Sequence, residues 1–413
     1  MPARKTMSIA ARQPHHHPLE SETLFDPTPR RALGEEEPVS WSEASRGWII
    51  RGHEDVLGCL RDSRLGSSHE DLLDVRLRGL SPELAGALRE TFAAHPWDGR
   101  EAAPLRRQAA PGFTPQVLDT CRPVIRDLAA RLVRRGGQDR MDLVRAVCAP
   151  LPARVLAEVF ALPERDRESF LAWAWHLADF HSPAADADRG ALARAALDAT
   201  RGFLSWLTPL LEARRRAPGE DLLSRMLQVE QPGARTAVQR VSTLALLLVC
   251  ELGFVTDQLG NVLHEVLARP ELWRMLRVDR SRIRPAVEEA LRLQPARPVL
   301  YRAVGESLTL RGRALRPGEA VFLDVATANR DPQVFTTPER FEPHRDAARQ
   351  KHVTFGFGLH HRLDAGLIRH ELECVLEVLL EEFPGLRLDE ERLPRLKRHG
   401  PLARGFETLP VRW

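Results

Sequence analysis

The stretch Lys351–Glu373, KHVTFGFGLHHRLDAGLIRHELE, gathers side chains of different chemistry in a loop punctuated by Gly356 and Gly358. His360 and His361 offer imidazoles, which ligate metals and exchange protons near neutral pH. Arg362 has five donors, no acceptor and effectively no neutral form, so it cannot ligate a metal. Its guanidinium can instead grip a carboxylate or phosphate in a bidentate fork. Asp364 is placed to cap the helix that follows, worth ~1 kcal/mol, and to pair with Arg362. A second chemical pair, Glu289 and Arg292 in EEALR, falls at i, i+3 on one helix face. Buried charges must be paired and hydrogen-bonded, so these two read as a structural clamp.

Long amphipathic helices position these groups. Leu118–Arg135 and Arg189–Arg216 carry the helical apolar period. Val241–Pro270 is expected to form one helix about 45 Å long at 1.5 Å per residue, buried along its apolar first half. Arg46–Gly52 reads as a strand leading into a helix. Leu308–Val325 reads as short strands broken by the Pro317-Gly318 turn. Leu367–Phe383 returns to helix, with Ile368, Leu372, Val375 and Leu379 along one face. The fold class is mainly α with a minor β region. Residues 1–19, including PHHHP at 14–18, are expected to be disordered, and 20–413 to form a single domain.

The 413 residues are 43% hydrophobic and 28% charged, as in a globular protein with a large core. Sixty basic residues against 57 acidic ones leave a net charge of +3, too balanced for nucleic-acid binding. The cysteines Cys59, Cys121, Cys148, Cys250 and Cys374 form no CxxC pair, so neither a disulfide framework nor a metal site is expected. The longest apolar run, around Leu244–Cys250, falls well short of the ~20 residues of a membrane span. No signal segment opens the chain, and a cytoplasmic location is expected.

The last third resembles the cytochrome P450 family, the haem-thiolate monooxygenases of soluble bacterial type. Glu289 and Arg292 match its ExxR pair, and Arg340 in TPERF its third member. Phe355, Gly356, Gly358 and His360 match its haem loop, LPVRW its ending, and Leu105–Pro115 the helix flanking the haem. The Val241–Pro270 helix matches its long central one. The resemblance implies a haem-bound oxygenase, but three departures oppose that. Arg362 stands where the ligating cysteine belongs, and Cys374, twelve residues on, is about 18 Å away along a helix. Gly253 and Phe254 replace the acid–alcohol pair of proton delivery, and Thr256-Asp257 is turned away by about 200°. The histidine expected in the flanking helix is Ala102. Arg106, Arg302 and His352 fall where the family holds the haem propionates.

Three functions follow. The first is a haem-free accessory protein of antibiotic or other natural-product biosynthesis, like the family's cysteine-less activators of glycosyltransferases. The second is a haem-independent enzyme using Arg362, His360, His361, Arg302 and Arg106 on a small acidic metabolite. The third is a haem protein ligated through His360 or His361. No cofactor is expected under the first two.

Overall fold

The computed structural model describes residues 37–413, apart from 67–72, 74, 75, 96–101, 138, 182, 184–186, 346–350, 359, 360 and 398–402. The tail 1–19 and His360 therefore lie outside the described residues. Strands β1 (Val39–Ser42) and β2 (Gly47–Ile50) form a hairpin, followed by α1 (His53–Arg61) and β3 (Leu65–Gly66). Helices α2 (Pro82–Ala93), α3 (Ala102–Ala109) and α4 (Pro115–Arg134) come next, then β4 (Arg140–Asp142). Helices α5 (Pro150–Val159), α6 (Glu164–His181), α7 (Arg189–Arg216) and α8 (Leu222–Leu227) follow. The centre is formed by α9 (Ala237–Cys250) and α10 (Leu252–Leu267), followed by α11 (Pro270–Val278) and α12 (Ile283–Leu293).

Strands β5 (Val299–Val304), β6 (Leu308–Leu310), β7 (Arg313–Leu315) and β8 (Ala320–Asp324) lead to the short α13 (Val325–Ala328). Helix α14 (Ala365–Glu382) precedes β9 (Arg387–Leu388), β10 (Arg395–Leu396), β11 (Phe406–Thr408) and β12 (Pro410–Arg412). The main sheet has the order β1-β2-β8-β5-β3, in which only β2 and β8 pair in parallel. Among the described residues two apolar cores result, a large one among the helices and a smaller one between α1 and the sheet.

Local sequence explains the main boundaries. Asp188 accepts from Ala191 N to start α7, whose bounds match the expected Arg189–Arg216. Thr114, with Pro115 behind it, starts α4, and a Thr236–Gln239 capping box starts α9. Gly366 lets α14 lie against α4, since a Cβ there would collide with Leu118.

The central helix differs from expectation. Val241–Pro270 is not one rod: it breaks at Glu251 into α9 and α10, with a bend of 40°. No proline causes the break. Glu251 is the only charged residue between Val241 and Val255, and its carboxylate is drawn sideways into the site described below. Among the described residues no single helix is long and apolar enough to cross a membrane; α9 and α10 together pass by length and composition, but as a bent, mostly buried pair.

Candidate functional site

The loop before α14 is shaped by its glycines. Gly356 (φ 71°) and Gly358 (φ 60°) sit in the left-handed region that side chains disfavour. Their turns let Gly356 N donate to Val353 O at 2.9 Å and His361 N to Gly358 O at 3.1 Å. Arg362 N then donates to Phe355 O at 2.8 Å, which directs the Arg362 side chain inward, towards the break between α9 and α10.

There the guanidinium meets two carboxylates and a ring. Nη1 donates to Glu251 Oε2 at 2.8 Å and Nη2 to Asp364 Oδ2 at 3.0 Å, with Nε 2.7 Å from Asp364 Oδ1. Its Cζ lies 4.1 Å from the centroid of Phe254, a cation–π contact. Only 14% of the Arg362 side chain is exposed. Burial works against its charge, but Asp364 and Glu251 outweigh it and raise its pKa. Burial likewise pushes Glu251 upward, yet Arg297, 3.8 Å away, and Arg362 hold it at about 2. Glu371, buried on α14, goes the other way: burial and the neighbouring Asp364 drive it well above the ordinary value, against the pull of Arg362.

Asp364 occupies the N-cap position of α14 but makes no capping bond, because its carboxylate serves Arg362. Thr256 and Asp257 are buried, and Asp257 accepts from Lys397 Nζ at 2.6 Å rather than facing Arg362. Cys374 Sγ is buried against Arg122 O at 3.8 Å, and burial pushes its thiol up to about 12.

The remaining expected pocket residues scatter. Arg106 donates to the carbonyl of His361, so it braces the loop backbone. His361 itself is exposed. His352 pairs with Glu288 at 3.2 Å, a carboxylate also held by Arg369 at 2.6 Å. Neither His352 nor Arg302 bonds Arg362. Arg302, on β5 and 6% exposed, gives Nη1 to Tyr301 O at 2.7 Å, while its Nε finds no acceptor among the described residues. Burial pushes that guanidinium down to about 10, with Cys59 pulling the other way.

The structural clamp is present with a corrected third member. Arg292 Nε and Nη2 donate to Glu289 Oε2 and Oε1, each at 2.8 Å. The other cation on Glu289 is Arg345, whose Nε lies 3.2 and 3.1 Å from the two oxygens. Arg340 is exposed and contributes its carbonyl, which accepts from Arg292 Nη2 at 3.2 Å. The five-residue difference arises because the chain turns back at Thr337, carrying Arg345 over Glu289.

The fold defines a class that comparison with known proteins bears out. The Cytochrome P450 family model matches residues 283–405. Cytochrome P450 107B1 of Saccharopolyspora erythraea is 30% identical over 93% of this chain and 94% of its own length. Mycinamicin IV hydroxylase/epoxidase of Micromonospora griseorubida is 33% identical, covering 92% and 94%. The solved structure of cytochrome P450 Eryk from S. erythraea has a TM-score of 0.75 at 30% identity, covering 92% and 93%. The chain belongs to the cytochrome P450 family. The relatives include named enzymes of secondary metabolism, such as polyketide biosynthesis cytochrome P450 PksS of Bacillus subtilis, 28% identical over 94% of this chain and 96% of its own.

Proposed function

We propose that this chain is a haem-free, cytoplasmic accessory protein of bacterial secondary-metabolite biosynthesis, which stabilises a partner enzyme such as a glycosyltransferase through an outer face. The observation that supports it is the contact of Arg362 with Phe254. A planar macrocycle between loop and central helix needs about 7 Å, two van der Waals contacts of ~3.5 Å. The guanidinium and the ring are 4.1 Å apart, and the Glu251 ion pair crosses the same gap. Arg362 brings no lone pair for iron, and His352 is committed to Glu288. The residues present therefore do not fit a haem.

One observation favours a second reading, a haem-independent enzyme acting on a small acidic metabolite. Arg302 is a buried cation whose Nε lacks an acceptor, a group that an acidic ligand would satisfy. Arg362, by contrast, is already neutralised by Glu251 and Asp364.

Two measurements test the proposal. Hemin titrated into the purified protein should give no sharp stoichiometric Soret band; such a band overturns the haem-free reading. A sugar transferase of the same biosynthetic cluster should gain activity when this protein is added. Arg302→Ala protein should activate it equally. Loss of that effect in folded Arg302→Ala moves the function into the pocket.

A further inference from the structure

We propose a second binding site, a cleft where α4, α5 and α6 meet, that takes a small organic acid with a carboxylate or phosphate head on a short aliphatic body. The cleft encloses about 180 Å³ and shares no residue with the Arg362 site. Each helix supplies one stripe of its surface. Leu128, Arg131 and Leu132 come from α4 at i, i+3 and i+4, Arg135 from the residue that caps its C-terminus, Arg154, Ala157 and Glu158 from α5, and Arg167 and Leu171 from α6. The leucines and Ala157 make an apolar floor, and four arginines and a single carboxylate, Glu158, share the lining.

Two of those guanidiniums are occupied. Arg167 grips both oxygens of Glu158 and gives Nε to Leu162 O at 3.2 Å. Arg131 pairs with Asp127 at 2.8 Å in the exposed manner of a surface helix pair. The other two are not. Among the described residues Arg135 makes no ion pair, and Arg154 makes neither an ion pair nor a hydrogen bond, although its Nε is buried away from solvent.

A solvated charged face would leave such donors to water. A buried donor without an acceptor is unfavourable, and three further cations around it make it more so. An anionic head between Arg154 and Arg135 supplies the missing acceptor and the missing charge together. The volume sets the rest of the ligand. It is below the ~300–1,000 Å³ of pockets for drug-sized molecules, so only a few carbons fit behind the head, over the leucine floor.

The test uses hexanoate, hexyl phosphate and hexanol, titrated calorimetrically into the whole protein at fixed ionic strength. At least one of the two anions should bind saturably in the millimolar range, with hexanol much weaker, and the tighter anion identifies the head group. Arg154→Met should weaken that binding at least tenfold without lowering the melting temperature, since Arg154 has no partner to lose. Arg135→Gln, on the exposed rim, should weaken it severalfold and serves should Arg154→Met misfold. Hexanol binding as tightly as the anions, affinity unchanged in both variants, or no saturable binding overturns the site.

Discussion

Arg362 and Glu251 depend on each other, and acid should reveal it. Glu251 titrates at about 2 when folded against an ordinary 4.5, so its contribution is complete above 4.5 and disappears as pH falls through 2. A shift of that size corresponds to at most ~3 kcal/mol, less because 31% of the side chain stays exposed. Glu251→Gln should therefore destabilise the protein by ~1–3 kcal/mol at pH 7 and by progressively less below pH 4.5. Urea unfolding from pH 7 to 2 checks this; parallel curves for the variant and the natural protein would show that Glu251 is not held by these cations. Arg362→Ala leaves Glu251 with Arg297 alone and strips Asp364 of its cation, so a loss of ~3–5 kcal/mol is expected in the same assay.

Among the elements, Glu289 on α12 ties that helix to the loop after α13 through Arg292 and Arg345. Glu289→Ala should cost ~3–5 kcal/mol, since it strands two buried cations. Arg345→Ala should cost ~2–3 kcal/mol and Arg340→Ala less than ~0.5 kcal/mol. Denaturant midpoints of the three variants decide it, and a large effect at Arg340 would reverse the assignment. The choice between the two arginines was not legible in the sequence, because a loop without period gives no indication of which side chain turns inward. Helices with local start signals were legible: Asp188 announces α7, and the apolar stripe of α14 matches its buried face. The break between α9 and α10 was not, because the partner of Glu251 at the break, Arg362, lies 111 residues away. The lone Glu251 in an apolar run was the available signal.

At the scale of the molecule, ion pairs join helices far apart in the chain. The seam between α4 and α14 carries Arg122 with Glu373 and Glu377, Arg126 with Glu381 and Arg134 with Glu382. The outer pairs are exposed and worth ~0–1 kcal/mol each, whereas the apolar seam beneath them is insensitive to screening. The melting temperature should thus fall by less than about 4 °C between 0.1 and 1 M sodium chloride. A larger fall in a calorimetric scan would give the ion pairs the main part. The tie between Arg362 and Glu251 also limits how this sequence can change over generations. A cysteine at 362 alone would set a thiol beside Glu251 and leave Asp364 without its cation, while a neutral residue at 251 alone would leave Arg362 half-paired against Phe254. Each single substitution of the pair passes through a less stable intermediate, so the two residues act as a ratchet: a lineage that has both is held to both.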